Sequence, residues 1–194
     1  RLGNQCDSRA IDCALAIAGS GAAELVVHGR TRAQGYRPPA YWDRINHIRQ
    51  AVHIPVIANG EIWTVDDAMR CRAESGCEGL MLGRGMVCNP GLALAIAQSG
   101  HKPLTWAALQ PLLKEFWALV QHHVEPKAQA GRLKQWLNLL RRHYPEAEAV
   151  FAAVRTVNDA VGVARVVFGD APATNKAWPH ELEQPMEHQA ALAA

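Results

Sequence analysis

Three apolar runs in the first half of the chain, at residues 24–28, 54–58 and 79–82, each close on a cluster of glycine and polar side chains. The clusters are Val26-Val27-His28-Gly29-Arg30, Ile57-Ala58-Asn59-Gly60-Glu61-Ile62 and Met81-Leu82-Gly83-Arg84-Gly85. Nearly continuous apolar runs suit parallel strands covered on both faces. The pattern therefore predicts three successive strands that deliver functional groups to the same end of one sheet. Asn59 follows His28 by 31 residues and Gly83 follows Asn59 by 24, about one strand and one return helix each time. Return helices are expected at residues 7–19, 41–52 and 64–75. Thr64 with Asp67 makes a weak capping box, and the Ser20-Gly21 and Ser75-Gly76 pairs suit helix ends. Asn89-Pro90 offers an N-cap with proline at the first helical position.

A repeated βα unit places the chain in the α/β class. Arg1-Leu2-Gly3 reads as the remnant of a further strand. A closed barrel takes eight such units in roughly 250 residues. Residues 1–104 are therefore expected to form the C-terminal half of a TIM (β/α)8 barrel, in a chain that is the C-terminal part of a longer protein. Beyond residue 104 the strand signals stop, and helices are expected at 106–124, 133–144, 146–157 and 161–168, punctuated by Pro126 and Pro145. This predicts a small all-α domain over 105–169. Residues 170–194, with Pro172, Pro179 and Pro185 among polar residues and alanines, read as a flexible tail.

Charge changes the picture only locally. The formal net charge of +2 and pI near 8.4 do not by themselves indicate nucleic acid. Residues 128–145, however, hold no acid and four cations, Arg132, Lys134, Arg141 and Arg142. On a helical period Leu133, Trp136, Leu137, Leu140 and Tyr144 form the apolar stripe, with Lys134, Asn138 and Arg141 opposite. A one-signed polar face suits phosphate contacts, and an ordinary solvated face is the alternative. Trp106 and Trp117 read as core. Five cysteines without a CxxC pair point to reduced structural thiols and a cytoplasmic protein. No apolar run approaches the ~20 residues of a membrane span. His122-His123 lacks a partner at ligand spacing, so no metal is expected.

The strand ends carry the candidate chemistry. Gly83-Arg84-Gly85 fits a phosphate site at the mouth of a barrel, with backbone N–H groups open to an anion and Arg84 as a multidentate donor; a plain tight turn is the alternative. Asn59-Gly60-Glu61 can hydrogen-bond a polyhydroxylated chain, or simply turn the backbone into the next helix. His28 is either functional or a satisfied core edge. The loop after it brings Arg30, Arg32 and Arg37 together with Tyr36 and no acid, a composition suited to a polyanion.

Taken in order, Val27-His28-Gly29-Arg30-Thr31, Gln34-Gly35-Tyr36, Ile54-Pro55-Val56-Ile57-Ala58-Asn59-Gly60-Glu61-Ile62 and Gly83-Arg84-Gly85 resemble the tRNA-dihydrouridine synthase family. The resemblance implies an FMN-binding barrel with His28 near the flavin ring, Asn59, Gly60 and Glu61 on the flavin chain, and Gly83 with Arg84 at its phosphate. It implies reduction of the C5=C6 bond of uridine in tRNA, with NADPH as reductant. The family's proton-donating cysteine and a flavin-contacting lysine belong to segments before Arg1, so the chain alone is expected to be inactive. Arg132-Leu133-Lys134-Gln135-Trp136-Leu137 resembles the signature of the bacterial subfamily acting at position 16 of the D-loop. By that resemblance Tyr36, Arg132, Lys134 and Arg155 contact tRNA, while Leu139 stands where an aromatic is expected. No protein partner is implied, and a monomer is expected. The competing readings are another FMN- or phosphate-binding barrel enzyme acting on a small metabolite, such as a sugar-phosphate isomerase, and a truncated product that only binds RNA.

Overall fold

Each predicted strand forms where the apolar run meets its polar end. The computed structural model describes residues 1–98 and 100–169; the tail expected at 170–194 lies outside the described residues. Its first half runs α1 (Ala10–Gly19), β1 (Leu25–His28), α2 (Trp42–Ala51), β2 (Val56–Asn59), α3 (Val65–Ser75) and β3 (Leu80–Met81). The strands pair in the order β1-β2-β3, all parallel. Val27, Val56 and Ala58 of the sheet pack with Ala14 of α1, Ile45 and Ile48 of α2, and Ala68 and Cys71 of α3 into one buried core. Helical cover of this kind is what continuous apolar strands require. The chain is thus α/β, with a parallel sheet followed by helices.

Local signals set the boundaries. Thr64 and Asp67 form the complete capping box: Asp67 N–H donates to Thr64 Oγ1 at 3.0 Å, and Thr64 N–H donates to Asp67 Oδ2 at 3.1 Å. Gly76 closes α3 in the left-handed conformation, φ 66°. Two expectations are corrected. Arg1-Leu2-Gly3 is not a strand. Leu2 N–H donates to Arg30 O at 3.1 Å and Arg32 N–H to Gly3 O at 2.8 Å, both past the end of β1, so the segment clips the loop and never joins the ladder. Asn89-Pro90 does not open a helix either. Asn89 ends the short α4 (Arg84–Cys88), which begins directly at the glycine-arginine cluster, and α5 (Leu92–Ala97) starts after Gly91. The side-chain oxygen of Asn89 accepts from Gly91 N–H at 3.1 Å, a tight turn in place of a cap.

Four longer helices follow: α6 (Trp106–His123), α7 (Pro126–Leu140), α8 (Pro145–Val154) and α9 (Ala160–Phe168). The pattern places the start of α7 seven residues late, because its first turns carry no apolar stripe; Pro126 at N1 nevertheless begins it, where a missing N–H costs nothing. Leu109, Leu113 and Trp117 of α6, Leu133, Leu137 and Leu140 of α7, Ala147 and Val154 of α8, and Val163 of α9 form a second buried core, with Tyr144 included and Trp106 against its edge. The two tryptophans expected in the core are there. A direct tie joins the halves, since Trp136 Nε1–H donates to Val87 O at 2.9 Å, bringing α7 onto α4. Among the described residues no helix is long and apolar enough to cross a membrane.

Removing these two kinds of support has different expected consequences. Thr64→Ala costs about 1 kcal/mol by loss of the cap, and Leu137→Ala, at a fully buried site, about 3 kcal/mol by cavity formation. Denaturant midpoints of the two variants check the order.

Candidate active site at the strand ends

The register of the sheet decides what the strand ends bring together. His28 pairs with Asn59, and Asn59 with Met81, so the three polar clusters leave the sheet side by side. Asn59 Nδ2–H donates to Met81 O at 2.6 Å, which ties β2 to β3 at the point where both end. Its Oδ1 stays available as an acceptor.

Gly60 follows with φ 116°, a conformation that L side chains rarely adopt. The indole N–H of Trp42 holds its carbonyl at 2.8 Å. A Cβ here would lie 3.4 Å from the His28 ring and 3.3 Å from Ala40, so glycine also makes the room in which that ring sits. Glu61 is next, a non-glycine residue at φ 58°. Backbone in this region is costly for an ordinary residue and persists only where surroundings fix it. Here they do. The Glu61 carboxylate pairs with the Arg30 guanidinium and accepts from Trp63 Nε1–H at 2.9 Å.

Arg30 is fully buried. Its Nε–H donates to Pro39 O at 3.0 Å and its Nη2 to Glu61, while Nη1 is buried without a partner. The expectation that Arg30 meets a polyanion with Arg32 and Arg37 is therefore corrected: it is an internal cation that needs its carboxylate, and the other two are exposed. Burial alone would raise the Glu61 carboxyl, but hydrogen bonds from Arg30 and Trp63 and the charges of Arg30 and Arg84 outweigh it and hold the group below its ordinary value.

His28 is half-buried, with its Nδ1 buried and unpartnered. Burial, then the charges of Arg1, Arg30 and Arg84, push its pKa down to about 4, so the ring is neutral at pH 7 with one nitrogen donating and one accepting. Tyr36 stands edge-on to it at 6.3 Å. Gly83, at φ 56°, precedes Arg84, and a Cβ on Gly83 would lie 3.9 Å from Asn59 Nδ2. The exposed Arg84 guanidinium lies 4.3 Å from the Tyr36 ring and 5.1 Å from that of Trp63. His28, Asn59, Gly60, Glu61, Gly83, Arg84 and Tyr36 thus form one contiguous cluster.

The cations of the helical half gather elsewhere. Lys134 Nζ donates to the Arg155 carbonyl at 3.2 Å, joining α7 to the end of α8, and exposed Arg132 meets Gln135 at 3.4 Å. Among the described residues no hydrogen bond or ion pair links Arg132, Lys134 or Arg155 to the strand ends. Arg141 is neutralised by Glu148 of α8 at 3.0 Å, so the face opposite the apolar stripe is not of one sign in the folded protein. Arg142 does reach the cluster, 4.1 Å from the Trp63 ring.

Sequence reasoning missed Arg30 and Trp63. The signal for Arg30 was present, because Arg30 and Glu61 are offset by the same 31 residues as the paired His28 and Asn59. Parallel strands in that register carry them out of the sheet as neighbours. For Trp63 the signal was only an aromatic placed two residues past Glu61.

Comparison with known proteins gives the family. The sequence model of the dihydrouridine synthase family matches residues 1–165, which include the strand-end cluster and both α7 and α8. The chain belongs to the dihydrouridine synthase family. It is 47% identical over 171 residues to a tRNA-dihydrouridine(16) synthase of Pseudomonas putida, covering 86% of this chain and 53% of that protein. It is 50% identical over 163 residues to one of Aquipseudomonas alcaligenes, covering 82% and 52%, and 40% identical over 167 residues to one of Shewanella oneidensis, covering 86% and 53%. The chain spans about half the length of the curated relatives it matches. In this dihydrouridine synthase family member the matched region holds every site residue named above.

Two outcomes follow for the cluster. Glu61→Gln leaves Arg30 buried without a countercharge and destabilises the fold by roughly 3 kcal/mol. Because the folded carboxyl lies below its ordinary 4.5, that stability is fully present above pH 4.5 and is lost as pH falls through the folded value. Denaturation of both proteins between pH 7 and pH 3 checks this, the Gln variant showing the shallower acid loss. His28 works over a different window: with a folded pKa of about 4 against 6.5, the unfolded chain binds the proton more tightly, so stability declines as pH drops from 6.5 to 4. An NMR titration of the His28 ring is expected to show a midpoint near 4.

Proposed function

We propose that residues 1–104 form part of the barrel and residues 105–169 the helical domain of an FMN-dependent tRNA-dihydrouridine synthase that reduces the C5=C6 bond of uridine at position 16 of the D-loop with NADPH. The carrying observation is the junction of a neutral His28 having an unpartnered buried Nδ1, the Gly60 cradle against its ring, and Arg84 following Gly83 at the same sheet end.

The residues suit a flavin mononucleotide. Gly60 leaves space beside an imidazole that keeps a free hydrogen-bonding atom for an uncharged polar ring. Asn59 Oδ1 and the remaining lone pairs of Glu61 can accept from hydroxyls, and Arg84 with the Gly83 backbone would hold a phosphate. A bound flavin would supply hydride to the uracil, taken in turn from NADPH. The chain's part is to position and to exclude competing charge. His28, kept neutral by burial and three arginines, offers a hydrogen bond without a proton that could leave. Arg30, locked to Glu61, fixes the turn on which Asn59 and Gly60 stand.

We assign no proton donor among the described cysteines. Cys71, Cys77 and Cys88 are buried, and Cys6 and Cys13 lie before and on α1, outside the strand-end cluster. The expected contacts to tRNA are Tyr36, 62% exposed at the strand ends, and Arg132, Lys134 and Arg155 on the bundle. Cations in these places support binding that weakens steeply with salt.

The test is a rescue assay in cells that lack dihydrouridine. The full-length protein is expected to restore the modification at position 16, read by mass spectrometry of tRNA fragments. Arg132→Ala with Lys134→Ala is expected to lower that modification at least tenfold while flavin stays bound. Soluble, flavin-loaded protein that yields no dihydrouridine at any position would sink this reading in favour of a flavoenzyme acting on a small metabolite.

A further inference from the structure

Trp63 belongs to neither hydrophobic core, yet it is half-buried and held from four directions. Its backbone N–H donates to Asp67 Oδ2 at 3.0 Å, inside the capping box of α3. Its indole N–H donates to Glu61 Oε1 at 2.9 Å. The guanidinium carbon of Arg142, from the turn after α7, lies 4.1 Å from its ring, and that of Arg84, the first residue of α4, lies 5.1 Å away. Arg84 leans on Tyr36 as well, at 4.3 Å.

This arrangement has a clear electrostatic logic. Two guanidiniums that share one small region repel each other. An aromatic face attracts both, and an indole whose N–H is donated to a carboxylate is the more electron-rich for it. Glu61 therefore acts at the ring edge while the cations use the ring, and Trp63 joins the bundle to the strand-end loops beside the tie that Trp136 makes to Val87. Planar, weakly hydrated guanidinium suits such stacking better than a lysine ammonium does.

We propose that Trp63 is a positioning residue that couples the basic helix α7 to the strand-end site, so that a nucleic-acid phosphate drawn to the Arg142 side holds Arg84 and Glu61 in place and tightens flavin binding. This rests on the flavin and tRNA reading given above. The phosphate offsets the charge of Arg142 and relieves its repulsion of Arg84, which then keeps its place beside Gly83. The linkage is reciprocal, so flavin on the Arg84 side strengthens tRNA binding by the same factor.

The experiment uses the full-length protein with Trp63→Ala, Trp63→Phe, Arg142→Ala and Arg142→Lys variants, and reads the Kd of FMN by flavin fluorescence with and without unmodified tRNA. In the unaltered protein tRNA is expected to lower that Kd by roughly fivefold or more, the low end of ordinary coupling between sites. Arg142→Ala erases the tRNA effect and Arg142→Lys restores part of it. Trp63→Ala weakens FMN binding even without tRNA and removes the coupling, while Trp63→Phe, which keeps a ring and loses the N–H to Glu61, falls between. Hydrogen exchange of residues 61–63 and 83–86 supplies a readout without ligand: both alanine variants speed exchange there and leave the core of α7 protected. If the unaltered protein binds neither FMN nor tRNA, the functional reading fails and the exchange data still judge the clamp. Unchanged exchange in both alanine variants, or a tRNA effect that survives them, overturns it.

Discussion

A buried guanidinium must have a countercharge, and the arrangement of the strand ends follows from how Arg30 obtains one. Arg30 has no solvent exposure, and Glu61 reaches it across the gap between β1 and β2. The partial solvation of Glu61 does not lessen the constraint, because the cation is the member that water cannot reach. To present its carboxylate Glu61 takes a left-handed backbone, Gly60 before it takes a stretch that suits glycine, and the chain then delivers Trp63 and the cap of α3. The strand ends that carry His28 and Asn59, and the turn that follows them, are therefore shaped by this ion pair.

The same pair sets the local electrostatics. Arg30, Arg84 and Arg1 disfavour a proton on His28, and Arg30 and Arg84 favour the ionised form of Glu61. Burial together with these arginines keeps the His28 ring uncharged, and the arginines help keep the Glu61 carboxyl charged. A site built this way is electropositive without holding a mobile proton, a combination suited to an anionic or polar ligand whose reaction depends on electron movement.

Directional contacts tie the helical half to the strand-end half. Trp136 gives its indole N–H to the Val87 carbonyl, and Arg142 stacks on Trp63. Joining elements by directional contacts leaves each core sealed by its own leucines and valines while fixing the register between α7 and the strand-end loops. Arg141 and Glu148 meanwhile neutralise one position at the end of α7, which leaves Arg132, Lys134, Arg142 and Arg155 as the remaining cations that the sequence had marked.

What the amino-acid sequence determined by itself was the periodic part. Continuous apolar runs ending in glycine made β1, β2 and β3; Thr64 and Asp67 made the start of α3; the stripe Leu133, Leu137 and Leu140 made the buried face of α7. These depend on neighbours a few residues away, and spacing records them. The place of Arg1-Leu2-Gly3 beside a loop was decided by contacts the local pattern does not encode. Arg30 is the sharpest case. In sequence it is one arginine among three, and only the parallel register that brings Glu61 beside it turns a surface cation into an internal one. Burial of charge is a property of the assembled sheet, since the desolvation that makes pairing obligatory exists only once the strands and the loop around Pro39 have closed over it.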